Sequence, residues 1–139
     1  MRKASQSAKK PKIVIGNSDF DRLTRLANNS LNTMPELAEE LLTELERAKV
    51  VSDRALPENV VRMGVAVTYT SDTGQERTVI LVNPGEADIA EGKVSIMTPI
   101  GTALIGLAVG QSIGWIARDG QKHLLTIKSV QPLTASSEQ

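Results

Sequence analysis

The stretch that most restricts the fold runs from Pro84 to Gly110, because its second half holds a helix with almost no polar side. Thr98 suits an N-cap and Pro99 the first helical position, where a missing N–H costs nothing. Ala103, Leu104, Ile105 and Leu107 make the helix apolar on nearly every face. Such a helix belongs inside a structure, with other elements wrapped on it. Gly106 or Gly110 can end it. In its first half, Pro84-Gly85-Glu86-Ala87-Asp88 reads as an acidic turn and Val94-Ser95-Ile96 as a short strand.

Strands supply the wrapping. Val65, Val67 and Tyr69 alternate, Ser71-Asp72-Thr73-Gly74 turns, and Thr78-Val79-Ile80-Leu81-Val82 returns. Beyond the helix, Ile113, Trp115 and Ala117 alternate. Asp119-Gly120 is a two-residue hairpin signal, and Leu125, Ile127 and Ser129 come back. Residues 60–131 therefore read as an antiparallel sheet wrapped on one helix, an α+β unit.

Before it, period 3.6 dominates. Ile13-Val14-Ile15 is an apolar run that either pairs as a strand or docks ahead of a helix. Ser18 with Asp21 has the form of a capping box, followed by Phe20, Leu23, Leu26 and Ala27 at helical spacing. Asn28-Asn29-Ser30-Leu31-Asn32 breaks that helix as a polar tip. Thr33-Met34-Pro35-Glu36 is a second capping box, with Thr33 as N-cap. Leu37, Leu41, Leu45 and Ala48 stripe the helix it opens, and Glu36, Glu39, Glu40, Glu44 and Glu46 form a solvated face. The two helices make a short antiparallel hairpin over residues 13–51, with a linker at 52–59. Residues 1–12 carry Arg2, Lys3, Lys9, Lys10 and Lys12 without an acid and read as a disordered basic tail. Residues 132–139 read as a polar one.

Sixteen basic and sixteen acidic residues cancel, so no global charge favours DNA or an anionic membrane. The absence of cysteine excludes disulfides, thiolate catalysis and cysteine-ligated metal. No apolar run approaches the ~18–20 residues of a membrane span, and residues 1–12 lack a signal-peptide core, so the expected location is cytoplasmic. His123, the one histidine, reads as a strand surface residue with no catalytic partner. Glu86 and Asp88 on a strand would share a face, but two carboxylates alone make a poor metal or acid–base site. The glycines follow no phosphate-loop spacing. No enzyme activity, metal or cofactor is expected.

The acidic Glu86-Ala87-Asp88 turn, Gly92, the Val94-Ser95-Ile96 strand, the Thr98-Pro99 step, Ala103-Leu104-Ile105-Gly106 and Val109-Gly110 together resemble the C-terminal domain of the Gre transcript-cleavage factors. The length and the preceding helices resemble the shorter Rnk relatives, named as regulators of nucleoside diphosphate kinase. The resemblance spans about Ile13 to Val130 and implies an FKBP-like fold for the sheet domain. In Gre factors a longer hairpin enters the polymerase secondary channel, and acids at its tip help hold the catalytic magnesium. Here the tip, Asn28 to Asn32, has no carboxylate, and a helix of about ten residues reaches only ~15 Å. The resemblance thus stops short of transcript cleavage. It implies binding of bacterial RNA polymerase near the secondary channel, in competition with Gre-type factors, by a monomer. Glu86, Asp88, Met97, Thr98, Pro99 and Ile100 are the expected docking residues. The alternative it implies is regulation of nucleoside diphosphate kinase by direct binding. Prolyl isomerase activity is not expected, since Tyr69 and Trp115 are too few aromatics to line such a pocket. The Gre-like pattern has Gly-Asp after the helix, where this chain has Gly110-Gln111.

Overall fold

The computed structural model describes residues 11–116 and 120–132. The chain opens with strand β1 (Val14–Gly16), which passes directly into helix α1 (Asn17–Asn29). A short turn leads to α2 (Pro35–Arg47), and β2 (Lys49–Val51) follows at once. β1 and β2 pair in parallel, with Ile15 opposite Val50. Of the Ile13–Ile15 run, Val14 and Ile15 are therefore strand, and the helical hairpin stands on a two-stranded base.

Both helix starts differ from the capping boxes read in the sequence. α1 begins one residue before Ser18, with Gly16 as N-cap, and its cap comes from elsewhere. The Asp53 carboxylate accepts from the Ser18 N–H (3.0 Å) and from the Ser18 hydroxyl. Gly16 makes room for this, because a Cβ there would lie 2.8 Å from Asp53 Oδ1. At α2 the N-cap is Met34 rather than Thr33. The Ser30 carbonyl accepts from the Thr33 and Met34 N–H groups, so backbone closes the turn and helix begins with Pro35 at its first position.

The larger sheet has five strands, β3 (Ala66–Ser71), β4 (Glu76–Val82), β5 (Lys93–Ser95), β6 (Ser112–Ile116) and β7 (Lys122–Gln131), in the order β5-β4-β3-β7-β6. β3/β4, β3/β7 and β6/β7 are antiparallel, as alternation and turn signals predicted. β5 corrects the all-antiparallel expectation: it runs parallel to β4, with Ile80 opposite Lys93. Parallel neighbours need a crossover, and residues 83–92 provide it through two 3-10 turns, Pro84–Glu86 and Ile89–Glu91. The Gly120 end of the β6–β7 connection has φ +81° as a tight turn requires. Ala117 and Asp119 lie outside the described residues, as do most of both terminal tails.

Helix α3 (Pro99–Leu104) lies on the inner face of this sheet. Its N-terminus is as expected: the Thr98 hydroxyl accepts from the Gly101 N–H at 3.0 Å, with Pro99 at the first position. It is shorter than its apolar run, because Ile105 turns to extended backbone and Gly106 takes φ +83°. From there the chain pairs instead with residues 59–61: Val61 N–H donates to Leu107 O, Gly106 N–H to Val61 O and Val109 N–H to Asn59 O.

One apolar core runs through the whole assembly. Ile13, Ile15, Leu23, Ala27, Ala38, Leu41 and Leu45 from the hairpin share a cluster with Val67, Leu81, Leu104, Leu107, Ile113 and Ile127. α2 leans on both α1 and α3. The Val14 N–H donates to Gly106 O, and a Cβ on Gly106 would come within 2.7 Å of Ile13 Cβ, so the first strand sits directly on the loop after α3. Glu44, read as part of the solvated face, is instead 5% exposed. Its Oε1 meets Arg47 Nε at 3.1 Å, and Arg47 donates again to Pro11 O at 2.7 Å. A buried carboxylate needs such partners.

Candidate functional site

α3 has six residues, about 9 Å of helix. It cannot cover the inner face of strands up to ten residues long. Beyond its N-terminus the inner face stays uncovered, leaving a cleft of about 400 Å³. Its floor comes from β3, β4, β5 and β7, through Tyr69, Val79, Val94 and Leu125. One wall is the strand-to-helix corner, Thr98, Pro99 and Ile100. Arg77, Ile89 and His123 stand at the margins.

The expected docking residues divide. Thr98, Pro99 and Ile100 come together on the cleft wall, with Pro99 exposed and Ile100 half-buried. Met97 does not reach the surface: it is 2% exposed and packs in the core. Glu86 and Asp88 are exposed, yet neither lines the cleft. They do not share a strand face either. Glu86 ends a 3-10 turn, while Asp88 exchanges backbone hydrogen bonds with Lys93, both at 2.9 Å. Ile89, the next residue, is the cleft component from this loop, and at 84% exposure it is the most exposed large apolar side chain described.

Several cleft residues escaped the sequence reading. Tyr69 and Arg77 face each other across β3 and β4, with Val79 one step along the same face. Burial pushes the Tyr69 hydroxyl above its ordinary range, and the Arg77 charge acts in the opposite sense. His123 is half-buried rather than on an open strand surface; its Nδ1 is 3.4 Å from Asp72 Oδ1. Period-two alternation already puts these side chains on the inner face. What it does not show is how little of that face the helix covers.

At the other end, the hairpin tip is held by its own backbone. The Ser30 hydroxyl donates to Leu26 O at 2.8 Å, with Asn28, Asn29 and Asn32 around it, and Leu31 and Met34 are partly exposed. Where the hairpin meets the sheet, Asp19 accepts from the Met63 N–H at 3.1 Å, beside the Ser18–Asp53 contact. Burial raises the Asp19 carboxyl above the ordinary aspartate value, while hydrogen bonds from Ser18 lower that of Asp53. Gln111, at the place of the Gre-like aspartate, has a local role: its Oε1 accepts from the Ala108 N–H at 2.9 Å and its Nε2 donates to Lys12 O at 3.4 Å. Among the described residues no group of three or more His, Cys, Asp or Glu could hold a metal, and no helix is long and apolar enough to cross a membrane.

Comparison with known proteins joins the two halves. The family described as "Transcription elongation factor, GreA/GreB, C-term" matches residues 56–132, and "Rnk N-terminus" matches residues 11–51. The chain is 34% identical over 107 residues to the regulator of nucleoside diphosphate kinase of Escherichia coli K12, covering 76% of this chain and 79% of that protein. It is 41% identical over 76 residues to the transcription elongation factor GreA of Thermodesulfovibrio yellowstonii, covering 54% of this chain and 48% of the relative. A solved structure of the elongation factor GreA/GreB from Nitrosomonas europaea superposes with a TM-score of 0.71 at 35% identity, covering 88% of this chain and 99% of that one. A sheet of the GreA/GreB C-terminal type, preceded by a short hairpin of the Rnk type, places this chain in the Rnk family of Gre-related regulators.

Proposed function

We propose that the protein is a non-catalytic transcription regulator that binds bacterial RNA polymerase near its secondary channel and competes there with Gre-type factors. The observation that carries this reading is the pairing of a Gre-type sheet domain with a hairpin that cannot deliver catalysis. α1 has 13 residues, about 20 Å, and the tip from Asn28 to Asn32 has no carboxylate for a hard cation. Docking is assigned to the corner of Thr98, Pro99 and Ile100 at the cleft. The buried Met97 supports that corner from beneath, and Glu86 and Asp88 extend the surface at its side. The protein works as a cytoplasmic monomer, without a cofactor.

The test is binding of the purified protein to core RNA polymerase, with a Gre factor as competitor. Displacement by the Gre factor is expected. Pro99→Asp is expected to weaken binding with circular dichroism unchanged, since Pro99 is exposed at the first helical position. Absence of binding at micromolar concentration overturns the proposal. The second reading, direct binding of nucleoside diphosphate kinase, is favoured by the name of the E. coli relative. A pull-down that brings down the kinase without polymerase would establish it instead.

A further inference from the structure

The cleft has a charge pattern of its own. Val79, Ile89, Val94, Pro99, Ile100 and Leu125 give it an apolar side, Ser71, Thr73, Gln75, Thr98 and His123 a neutral polar one, and no carboxylate lines it. Three polar side chains of the lining have no hydrogen bond or ion pair from any described residue: the Tyr69 hydroxyl, and at the exposed margin the Gln75 amide and the Arg77 guanidinium, which stands opposite Tyr69. The carboxylate next to Arg77 in sequence, Glu76, is engaged with Lys128 at 2.7 Å. Asp72, at the far margin, accepts from the Leu124 N–H and lies beside His123. The cleft thus offers, at its exposed margin, one guanidinium without a counter-charge among the described residues, beside an apolar floor that α3 leaves open.

We infer that the cleft receives an apolar side chain from a partner segment with a carboxylate next to it, the carboxylate pairing with Arg77 and the Tyr69 hydroxyl. Arg77 is then a specificity residue. The apolar group supplies burial, and the guanidinium selects partners that bring an acid and rejects those that bring a base. This rests on the polymerase reading for the partner's identity, but the chemistry of the cleft can be tested apart from it.

The first experiment uses 4-phenylbutyrate and its neutral amide as probes, titrated into the ¹⁵N-labelled full chain at low salt. Both are expected to shift the amide resonances of Val79 and Leu125. The carboxylate should bind about 5-fold tighter than the amide, the scale of one exposed ion pair. Arg77→Gln should abolish that preference and leave the amide's affinity alone. Equal binding of the two probes by the native chain, or shifts confined to other surfaces, overturns the inference. So does displacement of phenylbutyrate by a single-stranded oligonucleotide, which would assign Arg77 to phosphate. The second experiment measures core RNA polymerase binding, where Arg77→Glu should lose about 10-fold and Arg77→Lys much less. Unchanged polymerase binding by Arg77→Glu also overturns the inference. A carboxylate preference in a native chain that binds no polymerase sustains the cleft chemistry and removes the polymerase reading alone.

Discussion

Gly101→Ala tests how tightly the strand-to-helix corner is built. Gly101 is the third residue of α3, where alanine is intrinsically the better helix former by about 1 kcal/mol. The surroundings oppose it. A Cβ at Gly101 would lie 2.6 Å from Ser95 O, 2.8 Å from Ile96 O and 2.9 Å from Ile96 Cα. All three are backbone atoms, so no side chain can rotate away. The segment they belong to is itself held, because the Ile96 N–H donates to Val82 O (2.9 Å) and Ser95 O accepts from the Thr98 hydroxyl (2.7 Å). Overpacking of this kind costs about 3 kcal/mol, the upper part of its usual range. The clash outweighs propensity by about 2 kcal/mol, which lowers the melting temperature by roughly 6–8 °C for a chain of this size. Thermal and urea unfolding followed by circular dichroism measure it, with Gly85→Ala as the control. A Cβ on Gly85 would meet nothing within 4 Å, and its φ is not left-handed, so its substitution should change stability by less than about 0.5 kcal/mol. A Gly101→Ala protein that melts with the native chain or above it would show that the strand-to-helix corner yields freely, and the reasoning would fail.

Asp19→Asn should change the pH dependence of stability. Burial raises the folded-state value of Asp19 above the ordinary 3.8, so the folded chain keeps a proton that the unfolded chain has released. This group's stabilisation is complete below 3.8 and is lost as pH rises through the raised value. The Asp19→Asn variant should therefore gain on the native chain across that window, read as urea midpoints against pH. Asp53 acts with the opposite sign: its lowered value gives stability that is present above 3.8 and lost as pH falls through the folded-state value, so Asp53→Asn should weaken the fold at neutral pH and not in acid. Glu44→Ala should cost about 1–3 kcal/mol by removing the partner of Arg47 in a buried place, and Glu44→Gln distinctly less, measured by denaturant unfolding.

Local chemistry was legible wherever one segment decides its own conformation. Thr98 and Pro99 start α3 as their side chains demand, and the alternation from Val65 to Tyr69 and from Leu125 to Ser129 gave antiparallel strands. What stayed hidden depends on residues distant in the chain. Ser18 has the chemistry of a cap, but Asp53 performs that task from 35 residues away. β5 looks like any short strand, and its parallel direction follows from the 3-10 crossover before it. Glu44 sits in a run of surface acids and is buried because Arg47 and the incoming chain at Pro11 close over it. Of the residues expected to dock, Pro99 and Ile100 were recognisable as a corner. The cleft beside them was not, because it arises from the difference between a short helix and long strands.

The seating of β1 on the loop after α3 bears on how the chain is made. Lys12 O meets its partner, the Gln111 side chain, 99 residues later, and Val14 meets Gly106 only slightly sooner. At about 5–20 residues per second, a ribosome needs roughly 5–20 seconds to span that interval. Until then Ile13 and Ile15 have the hairpin above them and β2 beside them, but no floor. Ile13 and Ile15 are thus enclosed long after they are translated. A nascent chain halted before Gly106 presents the hairpin with its apolar base open to whatever waits at the tunnel exit.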